Sequence, residues 1–420
     1  MKKLIRKVIA VFMAAILAAS ALSVTAFADA ISDELAPALL EGAMNREKNI
    51  DISTIVQKNK WSLAEVTGLL ANAYLLCPEL FFASNTITVN SLGSSYYVIL
   101  DYTMTVSQYN TAKKKLDAAV EKIVSGITST MTDVEKLMYV HDYLILNCKY
   151  DYTRSKYDMY DCLVDRSAVC QGYSLAYMYI LKNYLDIDCT IVYSDAMGHA
   201  WNYVKLGKKW YHVDVTKDDA STVYKNNSYD NLGFVMHENF LMSDSFAKRT
   251  SQPHYNWEVI GLYPAATDTT YDKAVWRDSN SPLVFSGKTG YYVIKNEESG
   301  TEDICAYNFG SNTNKTVLRV KSKWYARRNE NGSQTYEYGK YSYKQIWSSL
   351  AYRNGKLYFN TNKNVYSYDL TTKQTKKLYT LNKENDQQIF GMMFSSADNL
   401  RIAYRADITY PENTLSLRLK

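Results

Sequence analysis

Three side chains of the types that can together perform nucleophilic acyl transfer occur in order along the chain: the Cys170 thiol, the His199 imidazole and the Asp214 carboxylate. The thiolate, not the thiol, is the nucleophile. An imidazole beside it takes the proton, and a carboxylate on the far ring nitrogen holds that imidazole in its working tautomer. The residue types alone are weak signals. A lone free cysteine is more often a small buried residue, and a lone histidine on a strand is more often a satisfied hydrogen-bonding group. Their positions in the pattern raise the functional reading.

Cys170 opens "SAVCQGYSLAYMYILKNYL", which reads as a helix. Ser167 is placed to cap a helix beginning at Ala168 or Val169, which puts Cys170 in the first turn. Unpaired N–H groups and the helix dipole there favour negative charge and lower a thiol's pKa. Its backbone N–H is one expected oxyanion donor. His199 and Asp214 lie in "GHAWNYVKLGKKWYHVDVTKDD", two alternating runs around a Gly-Lys-Lys turn. This reads as a hairpin. A two-residue loop at Leu206 and Gly207 sets the pair directly opposite. A four-residue loop, Leu206 to Lys209, makes them diagonal neighbours on the same face. An odd loop puts them on opposite faces. The expectation is an even loop, with the apolar Tyr211, Val213 and Val215 facing a core and His212 and Asp214 facing a cleft. Trp201 is expected to wall that cleft, with Gln171 beside the nucleophile as a second substrate-binding residue.

Other candidates rank lower. His212 is the rival base. His141, beside Asp142 on a predicted helix, reads as structural. His237 and His254 fall in loops with no partner pattern, and Asn202 reads as an ordinary strand polar group. No HExxH or paired CxxC occurs, so no metal site is expected. No glycine-rich phosphate loop occurs, and no cofactor is expected.

These residues need elements to hold them. "LAEVTGLLANAYLL" has helical spacing and stops at Pro78. "TITVNSLGSSYYVILDYTM" reads as a hairpin. "SQYNTAKKKLDAAVEKIVSGI" is an amphipathic helix. Thr132 and Glu135 form a capping-box signature that opens a helix running to Asn147. From about Ser281 the helical pattern ends. "GYYVIKNEESGTEDICAYNFGSNTNKTVLRV" is similar to "GKLYFNTNKNVYSYDLTTKQTKKLYTL", with a weaker third copy in "NLRIAYRADITYPENTLSLRL". Repeated strand–turn–strand units predict propeller blades or a related β array. The 38 tyrosines fit the filling of half-buried strands.

Lys2, Lys3, Arg6 and Lys7 precede an apolar run from Val8 to about Leu22, and Ala26-Phe27-Ala28 has the small-x-small cleavage pattern. This predicts a signal peptide over 1–28 and a secreted protein that meets a membrane only through that cleaved segment. Removing the four basic residues takes the formal net charge from +5 to +1. Such a balance has no nucleic-acid footprint. Six cysteines are too few to scaffold a secreted chain of 420 residues.

"VCQGYS", "GHAWNYVKLGKKWYHVDVT" and the trailing Asp218-Asp219 resemble the core of the transglutaminase-like superfamily. "MYVHDYLILNCKYDY" and "CPELFF" upstream are similar to secreted bacterial members, so the resemblance covers roughly 60–260. Lys217 departs from the tryptophan often found in that family. The resemblance implies a papain-like core, a helix bundle packed on an antiparallel sheet. It also implies Cys170 as nucleophile, His199 as base and Asp214 as orienting group. The fold class expected is therefore α+β: a papain-like transglutaminase core followed by an all-β, propeller-blade-like domain. The expected organisation is a helical and hairpin region over 29–130, the core over 131–265, a linker over 266–282 and the β domain over 283–420. A chain ending near Tyr271 is expected to keep its chemistry. The function expected is thiol-dependent acyl transfer at amide bonds through a thioester, with a protein or peptide substrate, cell-wall peptides included. Water as acceptor gives hydrolysis; an amine gives cross-linking. The alternative is a non-catalytic extracellular or cell-wall binding or scaffold protein.

Overall fold

The computed structural model describes residues 5–10, 30–219, 232–261, 263–296, 301–311, 313–322, 327–328, 334–335, 348–382, 387–406 and 413–419. Residues 1–4 and 11–29, which carry most of the apolar run and all of the cleavage pattern, lie outside these. The structure mixes helix and antiparallel sheet. It divides into two compact units that interleave along the chain. One is Met1–Val124, Asp151–Asp214 and Leu241–Asp272; the other is Ser125–Tyr150, Val215–Phe240 and Lys273–Lys420.

In the first unit, local signals set the helices. Ser62 caps Leu63–Leu75: its hydroxyl accepts from the Glu65 N–H, while the Glu65 carboxylate accepts from the Ser62 N–H at 2.7 Å. The helix Val106–Val124 buries Ala112, Leu116, Val120 and Ile123, a stripe with the spacing of one helical face. The expected hairpin forms between Ala83–Leu92 and Ser95–Tyr102, and Ile5–Ala10 pairs antiparallel with its first strand. The helix Cys170–Tyr184 differs from a surface helix. Every residue from Cys170 to Leu181 is buried, so it sits inside the unit rather than on it. It packs on an antiparallel sheet whose strand order is Glu258–Val259, Cys189–Ser194, His199–Leu206 and Lys209–Val213. Cys189–Ser194 is buried at all six positions, as a strand covered on both faces must be.

The hairpin loop has two residues, Gly207 and Lys208, because Leu206 pairs with Lys209. Gly207 has φ of +60° with nothing near its missing Cβ. The left-handed backbone, not space, calls for glycine there, as at the first position of a type II′ turn. The loop is even, as expected, but shifted by one residue from Leu206–Gly207. His199 and Asp214 are therefore diagonal rather than directly opposed.

In the second unit, Thr132 caps Asp133–Asn147 by a reciprocal bond with Glu135. Beyond it lie three antiparallel meanders, within Val284–Val320, Leu350–Thr380 and Gln388–Arg418. Val293, Ile304, Leu350, Leu357, Val365, Ile389, Leu400 and Ile402 from all three enter one apolar core. Among the described residues the first two sheets have four strands in chain order and the third has three. The described residues give three such sheets, fewer than the four to eight blades of a closed propeller. The stretch 266–282 is not an exposed tether. Ala266 is buried against Trp201 and Trp210 in the first unit, and Trp276 is buried against Tyr307 and Phe309 in the second.

Candidate active site

Cys170 is the first residue of its helix, and Val169, extended at ψ 177°, is the N-cap. Ser167 does not cap it; it lies in a short strand with Ala168. No side chain therefore caps this end, and the helix-terminal field acts on the thiol directly. Gly172 lets the helix approach its neighbours: a Cβ there would stand 2.8 Å from the Asp158 carbonyl oxygen and 2.7 Å from the Ala168 Cβ. Asn202, fully buried on the His199 strand, donates from Nδ2 to the Ser174 carbonyl at 3.0 Å. This bond ties the strand to the helix, so the polar group serves to position both.

The three expected residues come together. His199 Nε2–H donates to Asp214 Oδ2 at 2.6 Å. The His199 ring and the Ala200 N–H also face the Cys170 thiol, and both favour its charged form. With Nε2 taken by Asp214, Nδ1 is the ring atom left for the thiol proton. Exposure is graded: Cys170 is nearly buried, the His199 side chain is 12% exposed and Asp214 is fully buried. The electrostatics follow. Burial pushes the Cys170 thiol up, but the His199 bond and charge outweigh it, and its pKa falls below the ordinary value. Burial works against charged His199, yet the Asp214 charge and bond, with the thiol's help, raise it to about 10. Burial also opposes Asp214 ionisation, and the imidazoles on it hold its carboxyl well below the usual range. All three shifts favour a thiolate–imidazolium pair oriented by a carboxylate.

Two expectations are corrected. Trp201 does not wall the cleft. It is 1% exposed, stacks on His199 with ring centres 5.6 Å apart, and donates its indole N–H to His212 Nδ1 at 3.0 Å. It is a rigid backing for the His199 ring. Gln171 is buried to the same degree as Cys170 beside it. His212 is not a rival base either. Its Nδ1 accepts from Trp201, and its Nε2–H donates to Asp244 at 2.9 Å. Burial then lowers its pKa despite that carboxylate.

His254 is the site residue the sequence did not reveal. Its Nε2 lies 2.8 Å from the same Asp214 oxygen, forty residues away in sequence. "QPHYNW" carries no periodicity or spacing that marks it.

The second unit holds a separate buried cluster. His141 lies between Asp142 (2.8 Å) and Asp218 (3.2 Å), and His237 reaches Asp142 at 3.1 Å and the Ser279 carbonyl at 3.2 Å. Leu283 N–H donates to Asp142, and Asn239 donates twice to Asp218. Burial disfavours charge on His141, but the two carboxylates raise it to about 9. His141 is structural, as expected; His237 belongs with it, which its sequence context did not indicate. Among the described residues, His141–Asp142–His237 and His199–Asp214–His254 are the groups with ligand types close enough for a cation. Their spacings of 2.6–3.2 Å are those of hydrogen bonds.

Residues 117–215 match the family model of the transglutaminase-like superfamily. This span contains Cys170, His199 and Asp214, and the chain carries a domain of that superfamily. No curated protein matches the chain. Among solved structures, a TGase is 15% identical, with 34% of this chain and 45% of that one covered and a TM-score of 0.24. The chain thus spans less than half the length of that structure. Arylamine N-acetyltransferases of Mycobacterium marinum and Mycobacterium abscessus are each 12% identical. They cover 63% and 64% of this chain and 86% of their own, each at a TM-score of 0.22.

Proposed function

We propose that this protein is a secreted thiol-dependent enzyme of acyl transfer at amide bonds. Cys170 Sγ attacks the carbonyl carbon while the oxyanion forms near the Cys170 N–H. Imidazolium His199 gives its proton to the leaving amine, and a thioester remains on Cys170. Neutral His199 then takes a proton from water or an acceptor amine, which attacks the thioester and frees the thiol. Asp214 keeps its charge throughout and holds the ring. The observation that carries this reading is the His199 Nε2–Asp214 Oδ2 bond of 2.6 Å on an imidazole that favours the thiolate of Cys170 at a helix start. The substrate is a protein or peptide, with cell-wall peptides in scope. Secretion is supported by the basic start, the apolar run and Ala26-Phe27-Ala28.

The test is an assay with glutamine-bearing protein, a labelled primary amine and cell-wall peptides, beside Cys170→Ala. Cys170-dependent amine incorporation selects transfer, and Cys170-dependent cleavage selects hydrolysis. Neither, across all three substrates, overturns the enzyme reading in favour of binding.

A further inference from the structure

Asp214 is shared by two imidazoles, and the reaction above uses one. His254 is fully buried, on the segment before the Glu258–Val259 strand. Its Nε2 meets Asp214 Oδ2 at 2.8 Å, the oxygen that also takes His199 Nε2–H at 2.6 Å. Its Nδ1 faces the Ala247 carbonyl at 3.3 Å, and its backbone N–H donates to that same carbonyl at 2.9 Å. The ring is therefore anchored at its far end by main chain. Trp201 lies 4.8 Å from His254 and 5.6 Å from His199, so one indole backs both imidazoles. The charged and titratable groups around it are Asp214, His199, and His212 with its partner Asp244.

We propose that His254 is a positioning residue for acyl transfer, pinning the Asp214 carboxylate that orients His199. This rests on the reading of Cys170, His199 and Asp214 as a working triad. A carboxylate's terminal torsion is broad and roughly two-fold. A fully buried carboxylate also loses its hydration and needs donors to stay charged. Donors arriving from two separate chain segments fix the torsion and hold the charge. His254 touches no reacting atom; its effect reaches Cys170 through Asp214 and then His199.

The test measures the rate of Cys170 alkylation by iodoacetamide against pH in the full chain, by peptide mapping. No substrate need be known. In wild type the acid limb of that profile reports the thiolate held by His199. His254→Leu removes the donor. The limb should move up by about one pH unit, which is tenfold slower labelling on the slope. His254→Gln keeps an N–H near the Nε2 position and should restore the wild-type limb. If His254→Leu does not fold, His254→Asn, whose shorter amide falls short of Asp214, replaces it. A lower melting temperature with an unmoved limb means His254 is merely structural and overturns the proposal. So does a shifted limb that His254→Gln fails to rescue. Wild-type labelling that ignores His199→Ala overturns the triad reading itself, and this proposal with it. Dependence on His199 without dependence on His254 overturns this proposal alone.

Discussion

A thiol's environment decides whether it works, and the six cysteines of this chain meet different ones. All six are buried, and none is paired in a disulfide among the described residues. Burial and the Glu79 charge push the Cys77 thiol up to about 12, and burial raises Cys189 and Cys305 as well. Cys170 is equally buried, but His199 reverses the sign. Iodoacetamide near neutral pH should therefore label Cys170 before Cys77, Cys189 and Cys305. The preference belongs to the window above the lowered Cys170 value and below the raised values of the other three thiols. His199→Ala should abolish the preference, and equal labelling of Cys170 and Cys77 would sink it. The His199–Asp214 pair was legible because a hairpin turns neighbours in sequence into neighbours in space, so parity alone placed the two on one face. His254 and His237 were not legible. Their partners lie 40 and 95 residues away, and no local pattern encodes a contact of that range.

Elements carry those residues only if their ends and turns hold. Capping boxes at Ser62 and Thr132 follow from residue type, and the Thr132 signature placed its helix at sequence level. The start of the Cys170 helix did not follow, because the cap is a backbone conformation at Val169 and no side chain marks it. The Gly207 turn sets the register of the His199–Leu206 and Lys209–Val213 strands. Gly207→Ala puts a Cβ on a left-handed backbone and should cost about 1–2 kcal/mol. Chemical denaturation measures it, and no loss would mean the turn relaxes freely. In the second unit, His141 clamps Asp133–Asn147 to Asp218. Its ordinary value is 6.5 and its folded value about 9. A raised histidine stabilises fully below its unfolded pKa and loses that contribution as pH rises through the folded one. The denaturation midpoint should therefore fall between about pH 6.5 and 9. His141→Leu should flatten that fall and cost about 3–5 kcal/mol, since it leaves two buried carboxylates without their cation. An unchanged pH slope in His141→Leu would remove His141 as its cause.

At the scale of the whole molecule, periodicity tells which face of an element is buried but not what buries it. That is why the strand and helix patterns were legible and the partition into units was not. Reading in order suggests a core that ends before a linker, and a chain cut near Tyr271 that still works. The packing argues otherwise. Asp133–Asn147 and the segment 215–240 belong to the same compact unit as the C-terminal sheets. Leu283 N–H satisfies Asp142, the Ser279 carbonyl takes His237, and the Asn280 carbonyl takes the Val235 N–H. Ser349 donates to the Gly233 carbonyl. A chain ending at Tyr271 loses each of these partners at once. Every buried polar group left unpaired costs about 1–3 kcal/mol, and a domain's whole margin is about 5–15 kcal/mol. The truncated chain should therefore melt well below the full chain. Amide hydrogens of Asp133–Asn147 should exchange at rates near those of an unprotected helix, which hydrogen-exchange mass spectrometry reads directly. Full-length protection of that helix in the truncated chain would show that the C-terminal sheets do not support it, and that the boundary lies where sequence order first put it.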